Sequence, residues 1–202
     1  RHTRFRNVTG VQTCALPIFD VPESEMRRVR GRQVGFVFQE PAAALNPVYT
    51  IGYQIAETVT VHGLARGQAA RRRAIELLDA VRVPEPARRA GEYPHQLSGG
   101  LRQRAMIALA LAADPSLLIA DEPTTALDAR VQADILDLLV QLRSRLSLAV
   151  LLITHDLAIV TDVADRVAVM LKGRLVETAP AAQLFAAPAH PYTRELLASR
   201  PQ

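Results

Sequence analysis

The chain of 202 residues holds one cysteine and one lysine, and each scarcity removes a class of explanation. Cys14, standing alone, can form no intrachain disulfide and can seed no zinc cluster, which fits a reducing compartment. No apolar run approaches the ~20 residues needed to span a bilayer, and the longest clean one, Leu148 to Ile153, has the length of a strand. The chain is therefore expected to be soluble, or at most peripheral to a membrane. Its formal charge of +4 rests almost wholly on arginine, since Lys172 is the only lysine. Those arginines are scattered and aromatics make up only 4%, so no nucleic acid partner is expected. The densest run, Arg71-Arg72-Arg73, lies on a helix whose apolar side is Ala74, Leu77, Leu78 and Val81, the arrangement of a solvated face.

Against these absences stand a chain long enough for one domain with a real core, burying about 70% of its unfolded surface, and a composition that is 49% hydrophobic. The most informative stretch runs from Leu97 to Asp128, LSGGLRQRAMIALALAADPSLLIADEPTTALD. Leu97-Ser98-Gly99-Gly100 places small residues at the start of an apolar helix expected over about Leu101 to Ala113. Such a start presents unpaired backbone N–H groups and the positive end of the helix dipole to an anion. Leu117 to Ala120 is too short for a helix and reads as a buried parallel strand. It delivers Asp121, Glu122 and Pro123 to its carboxyl end, where open α/β sheets bind ligands.

The residues of this stretch resemble the ATP-binding subunit of an ABC transporter: LSGGLRQR is similar to the signature motif, LLIADEP to the Walker B strand and TTALD to the D-loop. The motifs fall in order at plausible spacing, which an isolated SGG would not achieve. The resemblance covers roughly Phe19 to the end. It implies an α/β fold of the P-loop NTPase type, with a mostly parallel sheet and an α-helical subdomain at about 48–113.

Residues 1–18 fit nothing that follows, and VTGVQTCALPI in them resembles translated sequencing-adapter sequence, so they are set aside as an expected artefact. Residues 19–202 are then expected to be a partial ABC ATPase domain. Glu25 to Arg32 reads as a short basic helix or turn leading to a strand, Gln33 to Phe38, closed by Gln39 before Glu40-Pro41. The resemblance makes Gln39 the Q-loop glutamine, touching metal and nucleophilic water, and Ala44-Leu45-Asn46-Pro47 is similar to the peptide-transporter branch. From Thr50 the pattern turns helical, with Ile51, Ile55 and Val59 at fours and an amphipathic helix over Ala70 to Val83. Pro84, Pro86 and Gly91 break it. His95, beside Pro94, reads as structural.

After Asp128 a helix carrying Val131, Ile135, Leu138, Leu139, Leu142 and Leu146 is expected to cover the sheet. A buried strand, Leu148 to Thr154, then ends at His155-Asp156, which is similar to the family's switch histidine. Arg166 to Leu171 and Arg174 to Glu177 read as a hairpin around Lys172-Gly173, a turn pair that permits positive φ. Ala181 to Phe185 and His190 to Leu197 again resemble the peptide and nickel importers.

ATP hydrolysis needs a phosphate cradle, Mg²⁺, a positioned water and a group to accept its proton. On the resemblance, Asp121 and Gln39 would hold Mg²⁺, whose preference for hard oxygen suits a carboxylate. Glu122 would act as general base, and His155 would meet the γ-phosphate. Ser98, Gly99, Gly100 and Gln103 would face an ATP held by a homologous ATPase subunit in a head-to-tail dimer, and Asp128 would tie the two sites together. One part is missing: nothing matches G-x-x-x-x-G-K-[ST], because the only lysine, Lys172, follows RVAVML. The Walker A loop and the N-terminal strands of the family are therefore expected to be absent, leaving a fragment unable to bind ATP tightly alone and with unpaired strand edges.

The implied whole is an ATPase at the cytoplasmic face of the bacterial inner membrane. Its partners would be two transmembrane permease subunits and, indirectly, an extracytoplasmic solute-binding protein, and its cargo di- or oligopeptides or nickel. The rival readings are a non-transport ABC ATPase of the phosphonate-breakdown type and a partner subunit that lends only its signature face.

Overall fold

The computed structural model describes residues 22–199 apart from Ala126; residues 1–18 and Cys14 lie outside them. Helix α1 (Glu23–Arg28) runs directly into a π-helical turn, Val29–Gln33, and then strand β1 (Val34–Val37). The basic segment expected at Glu25 to Arg32 is thus an α-turn followed by a π-turn, and the strand is shorter than Gln33 to Phe38. A four-residue helix, α2 (Pro41–Ala44), opens with the proline at its first position, where a missing N–H costs nothing.

Helix α3 (Ile51–Val61) buries Ile51, Ile55 and Val59 completely, the four-residue spacing seen in the sequence. Thr50 caps it by accepting from the Tyr53 N–H at 3.4 Å. Helix α4 (Gly67–Ala80) buries Ala70, Ala74, Leu77 and Leu78. It begins and ends three residues earlier than expected, because Val81 leaves the helix while staying buried. Its basic face is partly paired: Arg73 meets Asp114 at 2.8 Å and Glu76 at 3.5 Å. A short helix, α5 (Pro86–Arg89), and a 3₁₀ turn, Pro94–Gln96, lead into helix α6 (Gly99–Leu111). In that turn the His95 ring stacks on Tyr93 at 5.6 Å.

The helix expected over Leu101 to Ala113 starts two residues earlier, at Gly99. Ser98 supplies the cap that the glycines cannot, its hydroxyl accepting from the Leu101 N–H at 3.4 Å. Strand β2 (Leu117–Asp121), helix α7 (Ala129–Leu146) and strand β3 (Ala149–Ile153) follow. Among the described residues the sheet runs β1-β2-β3, all parallel, with Phe36, Ile119 and Leu151 in one row and Val37, Ala120 and Leu152 in the next.

Because side chains alternate along a strand, those rows face opposite sides. One side joins α3, α4, α6 and α7 in a single core in which Val37, Leu118, Ala120, Ile107, Ile135 and Leu138 are all at most 1% exposed. The other side turns Phe36, Leu151 and Ile153 outward, the last two at 50% and 45% exposure. Parallel sheets ordinarily bury both faces, but β3, expected to be buried, is covered on one side only among the described residues. Leu146, expected to cover the sheet, is exposed too. It ends α7 where Ser147, at φ 51°, turns the chain toward β3.

Helix α8 (Leu157–Val163) precedes an antiparallel hairpin of β4 (Arg166–Leu171) and β5 (Arg174–Pro180). Lys172 and Gly173 form its turn with φ of 48° and 77°, as the mirror-image hairpin turns require. β5 extends three residues beyond the expected Glu177. Helices α9 (Ala181–Ala186) and α10 (Pro191–Ala198) close a second, smaller core of Val169, Ala179 and Leu184 packed by Tyr192, Leu196 and Leu197. The Glu177 carboxylate accepts from the N–H groups of Ala189 and His190 at 2.8 and 3.0 Å, tying the start of α10 to the hairpin.

Candidate active site

All three parallel strands end on the same edge, and their next residues converge on one carboxylate. β1 is followed by Phe38 and Gln39, β2 by Glu122, and β3 by Thr154 and His155. Glu122 extends the ladder one step past β2, its N–H donating to the Ile153 carbonyl at 2.9 Å. It then turns off the strand at φ 45°, a conformation that costs an L-residue about 1–2 kcal/mol.

Three donors reach the Glu122 side chain. Gln39 donates through Nε2 to Oε2 at 3.1 Å, Thr125 donates its hydroxyl to the same oxygen at 2.9 Å, and His155 donates through Nδ1 to Oε1 at 2.8 Å. A carboxylate can only accept, so the shared proton lies on Nδ1, and Nε2 is an acceptor whenever the ring carries that proton alone. A phosphate oxygen at Nε2 would find a donor there only in the imidazolium. The bond from His155, then that from Thr125, hold the Glu122 carboxyl below its usual range against the opposing effect of partial burial. The His155 side chain is 78% exposed, against 26% for Glu122. Its loop is shaped by Thr154, whose hydroxyl accepts from the Asp156 N–H at 3.0 Å, and by Asp156, which caps α8.

Asp121 ends β2, half-buried, beside this cluster. With Gln39 Nε2 directed at Glu122, its Oε1 is left as the acceptor end of the amide. Asp121 and Gln39 therefore offer hard oxygens of the kind Mg²⁺ takes when most of its shell is water and substrate phosphate. Among the described residues no group of three or more His, Cys, Asp or Glu side chains could hold a metal by itself, so such an ion would need those further ligands.

The residues expected to face a partner's nucleotide stand apart from this hydrogen-bond cluster. Ser98 caps α6, and Gly99 and Gly100 form its first turn. That turn packs on the segment leading into α7: a Cβ on Gly99 would touch Leu127 at 3.6 Å, and one on Gly100 would stand 2.8 Å from Val131. Asp128 caps α7, its Oδ1 accepting from the Val131 N–H at 3.0 Å. Gln103 is only 1% exposed, and its Nε2 finds no partner among the described residues. Sequence reasoning passed over Thr125. The available signal was its hydroxyl type three residues after Glu122, the reach of a side chain across one turn.

A parallel sheet that delivers an amide, a carboxylate and an imidazole from adjacent strand ends, with a helical block packed beside it, defines an α/β ATP-binding cassette. The chain belongs to the ABC transporter family, which it matches over residues 16–125. A Brucella abortus (strain 2308) protein named for peptide import and ATP binding is 54% identical over 184 residues, 91% of this chain and 55% of that protein. A peptide ABC transporter ATP-binding protein by name, from Sinorhizobium fredii, is 52% identical with the same coverage. The chain thus spans about half the length of the curated relatives it matches. Among solved structures it is similar to a dimeric ATP-binding cassette in a post-hydrolysis state with ADP and Pi (TM-score 0.70, 32% identity, 80% of this chain and 68% of that one). It is also similar to cbiO1 of Clostridium perfringens, part of an ABC transporter complex (TM-score 0.72, 27% identity, 83% and 64%).

Proposed function

We propose that this chain is the hydrolytic part of an ATP-binding subunit that energises a bacterial importer of di- or oligopeptides, with nickel as the less favoured cargo. The convergence of Gln39, Thr125 and His155 on Glu122 carries this reading, supported by relatives whose names specify peptide import. Glu122, kept ionised by its donors, takes the proton of the attacking water. Gln39 and His155 hold that carboxylate in the substrate-free state. Asp121, with Gln39 Oε1, would hold Mg²⁺, which would supply neutralisation of phosphate charge. Ser98, Gly99 and Gly100 present a helix start to the nucleotide of a homologous subunit in a head-to-tail dimer, with Gln103 and Asp128 behind them.

The helical block at about 48–113 is the part we assign to the permease subunits, with the solute-binding protein acting through them. No helix of the described residues is long and apolar enough to cross a membrane, in keeping with a peripheral place on the cytoplasmic face. Since these 202 residues hold no G-x-x-x-x-G-K-[ST] stretch, the phosphate cradle is not among them. Residues 1–202 alone should then bind Mg-ATP more weakly than micromolar.

Calorimetric titration of residues 1–202 with Mg-ATP tests that half of the proposal, and micromolar binding would sink it. Co-purification of the intact subunit with transmembrane partners tests the other half. A subunit that hydrolyses ATP without permeases favours the non-transport reading. One that binds permeases but turns over no ATP favours the signature-only reading.

A further inference from the structure

We propose that Thr125 is the positioning residue that sets the direction of the Glu122 carboxylate. The inference rests on the hydrolytic reading of Glu122 above. Of the three donors to that side chain, Gln39 and His155 come from separate strands, 83 and 33 residues away along the chain, whereas Thr125 lies three residues on, in the same turn. Its backbone N–H donates to the Glu122 carbonyl at 3.1 Å while its hydroxyl donates to Oε2 at 2.9 Å. Two rings therefore close within one loop, and both persist when Gln39 and His155 turn to other partners.

That separation matters because Gln39 and His155 are the groups with alternative work. Gln39 has an amide oxygen suited to a cation, and His155, largely exposed, has a second ring nitrogen that the bond to Glu122 does not use. A carboxylate held only by them would lose its orientation whenever either one engaged substrate. With Thr125 in place, Oε2 stays fixed and Oε1 is the oxygen that becomes available. The φ of 45° at Glu122 brings the side chain back over its own turn, within reach of residue 125. The geometry thus assigns the hydroxyl, rather than the methyl, as the group that matters. Thr125 is exposed, so its replacement leaves the core untouched.

The test uses the intact transporter carrying Thr125→Val, which keeps the β-branched shape but cannot donate, and Thr125→Ser, which can. The Val variant is expected to lower kcat about tenfold, equivalent to ~1.4 kcal/mol, with the KM for ATP unchanged, and the Ser variant to restore most of the rate. A Val variant with wild-type kcat overturns the proposal. So does one whose loss appears in KM alone, or a Ser variant as slow as Val. Wild-type protein without ATPase activity overturns the hydrolytic reading instead. A second measurement then decides Thr125 by itself: the imidazole ¹⁵N resonances of His155 in the nucleotide-free full chain, identified by His155→Asn. They should shift in the Val variant and return in the Ser variant; unchanged resonances in the Val variant refute the hydroxyl's control of the carboxylate.

Discussion

Replacing Gly100 with alanine sets two effects of opposite sign against each other at the start of α6. Alanine forms helix better than glycine by roughly 0.5–1 kcal/mol, so propensity alone makes Gly100→Ala stabilising. The new Cβ, however, would stand 2.8 Å from Cγ1 of Val131, well inside the ~3.5–4.0 Å of carbon–carbon contact. Val131 cannot swing aside, because a β-branched side chain in a helix has essentially one rotamer. Its helix is pinned by the buried Ile135, Leu138 and Leu142. Overpacking of this kind costs about 1–3 kcal/mol, the larger of the two effects, and a net loss of about 1 kcal/mol is expected. In a Val131→Ala background both γ-methyls are gone and only propensity remains, so the same substitution should stabilise by up to ~1 kcal/mol. Urea unfolding of the four proteins closes a double-mutant cycle. The expected result is a change of sign between backgrounds. An effect of the same sign in both would refute the claim that the signature turn is fitted against α7 by the lack of a side chain at residue 100.

Two further predictions concern the periphery. Glu177 is held below its usual pKa of 4.5 by the Thr193 hydroxyl and by the N–H groups of Ala189 and His190. A depressed folded-state pKa means the stabilisation is present above the unfolded value and lost as pH falls through the folded one. Glu177→Gln should therefore lower Tm at pH 7, with the gap to wild type closing below about pH 4.5; a gap independent of pH would contradict it. Leu151→Thr with Ile153→Thr, on the outward face of β3, should change stability by less than about 1 kcal/mol and reduce aggregation measured by light scattering. A large stability loss would mean that this face is packed.

Much of the candidate site's placement was legible because its residues lie at strand ends and strands have a strong apolar signal. Gln39, Asp121, Glu122 and His155 each close a short apolar run, and parallel pairing brings such ends to one edge. The buried faces of α3 and α4 followed from Ile51, Ile55 and Val59 and from Ala74, Leu77 and Leu78, whose spacing is helical. Boundaries were less legible where capping overrode propensity. Gly99 and Gly100 are poor helix formers, yet they lie inside α6 because Ser98 caps it. The donor role of Thr125 depends on the positive φ of Glu122, and a glutamate in that conformation leaves no mark in the sequence. Glu177 illustrates the remaining limit, since its partners at Ala189 and His190 are joined to it only by the folding of the hairpin onto α10. The outward face of β3 was likewise hidden, because Leu151 and Ile153 have the composition of residues buried on both sides.

The central claim is that Glu122 is the general base of an ATPase, gathered with Gln39 and His155 by three parallel strand ends. Turnover of the intact transporter carrying Glu122→Gln tests this most directly. Glutamine keeps the shape and can still accept from Thr125, but it cannot take up a proton. The account predicts that ATP still binds while kcat falls by about 10²–10⁴. Hydrolysis at the wild-type rate in that variant would contradict it.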